Sequence, residues 1–382
     1  MYSDRLSHLP RYLFARIDEM KAEQARRGVD IIDLGVGDPD LPTPPHIVDA
    51  LCKAAQDPEN HHYPSYAGMP AFQSAVAEWY KRRFGVTLEP RTETLALMGS
   101  KDGIAHIAEA FVNPGDYVLA PSPGYPVYQT STLFAEGRVF DLPLTAENGF
   151  LPDLSSIPSA VAKSSRLLFI NYPNNPTGAI APAGFYREVV DFASDNGVVV
   201  VSDNAYSEIS FDGYRAPSFL ETKGAAGVGI EMHSLSKTYN MTGWRIGMAV
   251  GNAEVISGLG RVKTNVDSGV FNAVQHAAIA ALSGPQDCIR EACATYQERR
   301  DVLVSGLSDL GYKVEPPKAT FYVWMKVDDS MAFSARLLEE AGVVATPGVG
   351  FGAHGEGYVR FAITRSADRI REAVERMMKV GF

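Results

Sequence analysis

Four consecutive valines, Val198-Val199-Val200-Val201, lead into Asp203, and this short run restricts the fold more than any other feature of the chain. A strand that faces water on one side alternates apolar and polar residues. A strand that is apolar at every position has to be covered on both faces, as in a parallel sheet between two layers of helices. Runs of the same kind recur at 94–98, 117–120, 167–171, 230–234 and 246–250, and 102–111 and 183–196 show helical spacing between them. The alternation predicts an α/β protein with a doubly wound sheet from about residue 46 to 275.

After Asn272 the pattern changes. A long charged helical stretch at 288–310 leads to the alternating run Phe321-Tyr322-Val323-Trp324, a helix over 333–341, a strand over 358–363 and a last helix from Ala367. This reads as a separate α+β unit. Residues 31–45 are rich in proline and glycine and read as an ordered loop. The expected division is an N-terminal arm and helix over 1–45 that packs with the small domain, a large domain over 46–275, and a small C-terminal domain over 276–382.

A chain of 382 residues can bury a large core without disulfides or structural metal. Its formal charge of −10 argues against a nucleic-acid binder or a protein held on an anionic membrane. The short run Lys81-Arg82-Arg83 reads as a solvated helix face. Cys52, Cys288 and Cys293 lack zinc-ligand or redox spacing, which suits reduced thiols in a reducing compartment. The first 28 residues hold no apolar signal region, and no run of about 18 apolar residues could span a bilayer, so the expected location is the cytoplasm. His61-His62 has no third ligand at metal-binding spacing, so no metal is expected. Gly348-Val349-Gly350-Phe351-Gly352 lies too near the chain end to open a dinucleotide-binding unit and reads better as a loop packing near the substrate.

Four segments at strand ends carry chemistry. Ser234-Leu235-Ser236-Lys237 follows one strand and precedes Arg245; the two hydroxyls and the guanidinium are phosphate donors around a lysine. If the environment lowers its pKa, that lysine can act as a nucleophile. Asp203 ends the valine-rich strand, where open α/β sheets bind ligands. It suits either a helix cap or an acid facing a pyridinium nitrogen. Tyr206 follows three residues later. Asn174-Asn175-Pro176-Thr177-Gly178 is turn chemistry that would also hold the Asn175 amide at the edge of the same crevice. Gly99-Ser100-Lys101-Asp102-Gly103 joins a strand end to a helix start, whose free N–H groups form an anion site.

With Gly35 to Pro39, Tyr63 to Gly68, Pro123-Gly124-Tyr125-Pro126 and Tyr358-Val359-Arg360-Phe361, these segments resemble the fold-type I pyridoxal-phosphate enzymes of the class I and II aminotransferase family over essentially the whole chain. The resemblance implies a mainly parallel seven-stranded sheet in a large domain with a small α+β domain, and pyridoxal 5′-phosphate as cofactor. It implies that Lys237 is the Schiff-base lysine and proton shuttle, that Asp203 pairs with the ring nitrogen, and that Tyr206 and Asn175 bond the ring's phenolic oxygen. Tyr125 would stack on the ring, while Ser100, Lys101, Ser234, Ser236 and Arg245 would hold the phosphate. Arg360 would clamp the substrate α-carboxylate, with a Gly37 amide nearby. Tyr63 would reach the neighbouring subunit's phosphate, which makes a homodimer with shared sites the expected assembly.

Within that family, the stretches around Tyr12, Tyr63 to Met69, Gly99 to His106 and Lys237 to Arg245 resemble the group of LL-diaminopimelate aminotransferases. In that group Lys101, Tyr12 and Asn272 would be candidate contacts to the distal end of a long diamino dicarboxylic acid. The expected partners are therefore small amino acids and 2-oxo acids. Donors such as aspartate, alanine or aromatic amino acids, and a lyase reaction on the same cofactor, remain as alternatives. A non-catalytic regulator is disfavoured, because no room precedes Ile31 for a DNA-binding region.

Overall fold

The structure is a computed structural model that describes residues 2–7, 9 and 13–382. The arm contributes β1 (Ile32–Asp33), followed by β2 (Thr94–Leu97), β3 (Tyr117–Ser122), β4 (Arg138–Pro143), β5 (Ser165–Ile170), β6 (Val199–Asp203), β7 (Gly229–Ser234) and β8 (Gly247–Gly251). The last third adds β9 (Tyr322–Lys326), β10 (Val343–Val344), β11 (Thr346–Pro347) and β12 (Tyr358–Ala362). Seven strands form one sheet in the order β2-β8-β7-β6-β5-β3-β4. β8 runs antiparallel to both neighbours, and the remaining pairs are parallel.

Successive residues of a strand point to opposite faces, and here the two faces feed two cores. Leu168, Ile170 and Val200 join Phe72, Tyr80, Val189 and Ala278 on one side. Leu167, Phe169 and Val201 join Ile104, Ile107, Val255 and Leu259 on the other. Both faces are therefore covered, which is why the apolar runs are continuous. Full burial of each such side chain contributes about 1.5–3 kcal/mol.

The expected runs match six of these strands to within a few residues. The seventh, β4, is absent from them. It lies at the sheet edge, bonded only to β3, and its residues Arg138-Val139-Phe140-Asp141 are largely half-exposed, so no continuous apolar run marks it.

A third core joins the three-stranded sheet β11-β12-β9 to the helices Asp287–Asp309, Ser330–Ala341 and Ala367–Val380. The arm is tied to it. β1 pairs in parallel with β10, and the N–H of Ala362 donates to the carbonyl of Leu34 at 2.6 Å. The helix Leu13–Arg26 lies against Ser330–Ala341, with Ile17 and Met20 facing Leu338. The helix Asn272–Ser283 spans the position where the sequence pattern changes. It packs on Pro45–Ala55 and Pro70–Phe84 and belongs to the core of the large sheet. Just after β6 the chain crosses between cores, since Ala205, Tyr206 and Ile209 belong to the third one. Among the described residues no helix is long and apolar enough to cross a membrane.

Candidate active site

The strand ends of the large sheet, the arm and the three-stranded sheet enclose a cavity of about 260 Å³. Its floor is Asp203, the last residue of β6. The Tyr128 hydroxyl donates to Asp203 Oδ2 at 2.8 Å, while the buried Oδ1 has no partner. Burial pushes the carboxyl up to about 6, opposed by the hydrogen bonds from Tyr128 and the Ala205 N–H. An unpaired carboxylate oxygen at such a depth calls for a donor from a ligand.

Asn171, just past β5, secures two of the predicted positions. Its Nδ2 donates to the Asp203 carbonyl at 2.7 Å, and its Oδ1 accepts from the Asn175 N–H at 2.8 Å. Asn174 Oδ1 accepts from the Thr177 N–H and hydroxyl at 3.0 and 2.7 Å, closing the turn. The turn residues thus hold the Asn175 amide at the crevice edge, as the spacing suggests.

At the end of β7, Ser234 Oγ accepts from the Ser236 N–H at 3.2 Å and caps the short helix Leu235–Thr238. That helix presents Lys237, whose Nζ donates to the Gly37 carbonyl at 3.2 Å and lies 5.7 Å from the centre of the Phe321 ring. Burial lowers the ammonium to about 8, Asp38 opposes the change, and Arg245 and Arg360 assist it. A neutral amine is thus within reach near neutral pH.

Gly99 has a φ of 80°, and a side chain there would run into the Arg245 guanidinium. Arg245, itself left-handed at φ 55°, donates to the carbonyls of Thr242 at 2.8 Å and Met98 at 3.2 Å. The first N–H groups of Ser100–Phe111 have no partner within the helix and open beside this guanidinium. Lys101 is solvent-exposed at the same turn.

Arg360, from β12, forms the opposite wall. It donates to Asn175 Oδ1 and to the Gly35 carbonyl, both at 2.7 Å, and its buried Nε is unpaired. The guanidinium carbon lies 4.1 Å from the centre of the Tyr322 ring and 4.6 Å from that of Phe351. The Tyr322 hydroxyl meets that of Tyr206 at 3.1 Å. Gly37 passes so close to Tyr322 that a Cβ would overlap the phenol, so the arm needs a glycine there.

The cavity wall therefore brings together Gly37, Ser100, Lys101, Tyr125, Asn175, Asp203, Tyr206, Ser234, Lys237 and Arg360. Ser236 is buried behind it. Tyr63 stands apart from the cavity with 88% of its surface exposed. Asn272 begins a helix away from the wall, with a buried Oδ1 that has no partner. Tyr12 lies outside the described residues. The sequence reading missed Tyr128, Asn171 and Tyr322 as site residues, while Phe351 lies in the glycine-rich loop expected to pack near the substrate. Tyr128 lies two positions beyond Pro123-Gly124-Tyr125-Pro126, so its nearness to Tyr125 was the one available signal.

The residues fit pyridoxal phosphate. An unpaired buried carboxylate oxygen suits a ring N–H, an amine with a lowered pKa suits an aldehyde, and a helix start with an arginine and serines suits a phosphate.

The family model for aminotransferase class I and II matches residues 29–377. The chain is 57% identical over 383 residues to the LL-diaminopimelate aminotransferase of Syntrophobacter fumaroxidans (strain DSM 10017 / MPOB), covering 100% of this chain and 99% of the relative. It is 57% identical over 376 residues to the protein of the same name from Desulforudis audaxviator (strain MP104C), covering 98% and 96%. Among solved structures, substrate-bound BacF from Bacillus subtillis superposes with a TM-score of 0.96 at 40% identity, covering 100% and 98% of the two chains.

Proposed function

Since this chain belongs to the class I and II aminotransferases and has their fold-type I architecture, we propose that it moves the amino group of LL-diaminopimelate to 2-oxoglutarate. One observation carries the reading: full-length likeness, at 57% identity, to proteins that bear the LL-diaminopimelate aminotransferase name. The products would be glutamate and a keto acid that cyclises to tetrahydrodipicolinate, a step toward lysine.

Pyridoxal phosphate, when bound, supplies an aldehyde that takes the amino group and a protonated ring that draws electrons from the substrate α-carbon. Ser100, Lys101, Ser234, Ser236 and Arg245 would hold its phosphate, and Tyr125 would lie against its ring. Asp203 Oδ1 would hold the proton on the ring nitrogen, with Tyr128 keeping the carboxylate aligned. Asn175 and Tyr206 would bond the ring oxygen. Lys237 Nζ would take the proton from the substrate α-carbon, which needs the neutral amine that burial favours. Arg360, pinned between two aromatic rings, orients the α-carboxylate so that the α-hydrogen faces Lys237. Lys101, and Tyr12 and Asn272 from the arm and the partner, are the proposed contacts to the distal end of the donor.

In this reading the working unit is a homodimer. Tyr63, Tyr66, Val266 and Phe271 are exposed large apolar or aromatic side chains, which suits a covered face. Tyr63 would then extend to the partner's phosphate. The free thiols Cys52, Cys288 and Cys293 fit a reducing compartment, and the cytoplasm is the expected location.

The test is an amino-donor screen with 2-oxoglutarate as acceptor and glutamate as readout. LL-diaminopimelate should exceed its meso isomer, aspartate, alanine, lysine and aromatic amino acids in kcat/KM. Preference for any of the others would refute the substrate and leave the reaction class intact.

A further inference from the structure

Beneath the first turn of Ser100–Phe111 lies a group of charges that none of these roles uses. Asp102 Oδ2 accepts from the Met98 N–H at 2.9 Å and from Lys263 Nζ, and Oδ1 faces His106 Nδ1 at 2.9 Å. Lys263 comes from the helix Ala253–Val266, and its side chain is 1% exposed. It also meets Asp267 Oδ2 at 2.7 Å, and Asp267 Oδ1 accepts from the Gly269 N–H at 2.7 Å.

An acid in the first turn of a helix is ordinarily favourable. Asp102, however, is nearly buried in the one turn whose N–H groups would hold a phosphate. An unbalanced carboxylate there would oppose a second anion through low-dielectric surroundings. Asp102 also grips the N–H of Met98, and the carbonyl of that same residue accepts from Arg245. The strap 98–102 is therefore held from below by Asp102 and from above by a phosphate donor.

We propose that Lys263 is a positioning residue for the cofactor phosphate: it offsets the Asp102 charge and fastens the first turn of Ser100–Phe111 to Ala253–Val266. The N–H groups of Ser100 and Lys101 then meet the phosphate with the carboxylate underneath paired instead of bare. The inference rests on the cofactor reading above and deepens it. Burying a lysine costs several kcal/mol unless it is paired, and two carboxylates pair this one. Asp267 carries the same fastening on to the turn at Gly269, which packs against Pro64 and Ser65.

Three variants test it: Lys263→Met, Asp102→Asn, and the two combined. The readout is dissociation of pyridoxal 5′-phosphate from the holoenzyme, followed by its protein-bound absorbance on dilution. Thermal unfolding and the amino-donor KM at saturating cofactor are measured beside it. Lys263→Met should weaken cofactor binding by about tenfold or more. The double variant removes the acid under the turn together with its cation, leaving Asp267, and should bind at least about threefold more tightly than Lys263→Met. Asp102→Asn alone should bind at least as tightly as the wild type, and it keeps the inference testable if Lys263→Met fails to fold. The donor KM should stay constant throughout.

A double variant as weak as Lys263→Met would mean a packing role only and would overturn the inference. So would an unchanged affinity in Lys263→Met, or a tenfold loss in Asp102→Asn. A wild type that binds no pyridoxal phosphate at all would instead refute the cofactor reading, and this inference with it.

Discussion

Replacing Asp203 by asparagine should stabilise the cofactor-free protein at neutral pH while removing most of its activity. The carboxyl stands at about 6 in the fold against an ordinary 3.8, because burial disfavours its charge more than Tyr128 and the Ala205 N–H support it. Below pH 3.8 it is protonated in both folded and unfolded chains and has no net effect on stability. Between 3.8 and about 6 the folded chain keeps a proton that the unfolded chain releases, so stability falls as pH rises. Above that window the full cost persists, about 3 kcal/mol at about 1.4 kcal/mol for each pKa unit.

Asparagine carries no charge and can still accept from Tyr128, but its amide brings donors whose burial without a partner costs about 1–3 kcal/mol. The net gain is up to about 2 kcal/mol, or a rise in Tm of a few degrees or less for a chain of this size. Calorimetry on the cofactor-free wild type and Asp203→Asn from pH 4 to 8 measures it. The variant should be the more stable at pH 7.5, and its advantage should vanish or reverse near pH 4. Its kcat should fall by about a hundredfold or more, since nothing then holds the proton on the ring nitrogen. A variant less stable at pH 7.5 by the same amount as at pH 4 would refute the charge-burial argument.

Lys237→Ala should abolish the absorbance of the lysine-linked cofactor and nearly all turnover; a purified variant with normal transamination rates would exclude the assignment. Arg360→Ala should raise KM for both amino and oxo acids by about tenfold or more, and Arg360→Lys should not restore it. The reason is that the planar fork is held between Tyr322 and Phe351 while bonding Asn175 and Gly35; an unchanged KM would eliminate the carboxylate clamp. Burial works against the Asp102 charge, but hydrogen bonds from His106 and Lys263 outweigh it and hold the carboxyl at about 2. Its contribution to stability is therefore present above the ordinary 3.8 and lost as pH falls through about 2. Denaturant unfolding of the wild type and Asp102→Asn should show a gap at pH 6 that closes toward pH 2, and a constant gap would contradict the pairing.

Much of the site was legible because its residues sit at strand ends within short motifs. Asp203, Lys237, Asn175 and Ser100 each follow a recognisable apolar run by at most a few residues, and a doubly wound sheet gathers such ends along one edge. Tyr322 was not legible as a site residue: it comes from the last third of the chain, in a run that reads as an ordinary strand. Phe351 was legible only through its glycine-rich loop, which reads as packing near the substrate. Asn171 ends one of the apolar runs, yet its service to Asp203 depends on the β5–β6 pairing. Edge strand β4 escaped for a different reason: with one strand neighbour and half-exposed faces, it carries no continuous apolar signal.

The amino-acid sequence alone determined the α/β class and the covered sheet, because periodicity and turn chemistry are local properties that each segment carries with it, and its ordered motifs carried the resemblance to the family. Tertiary packing decided how the separate segments act on one another. It left one Asp203 oxygen unpaired over Tyr128, set Arg360 between two rings, and buried Lys263 between two carboxylates. Those outcomes arise from contacts between residues up to 161 positions apart. Their energies depend on burial and on the distances between charges, and both exist only once the cores have closed.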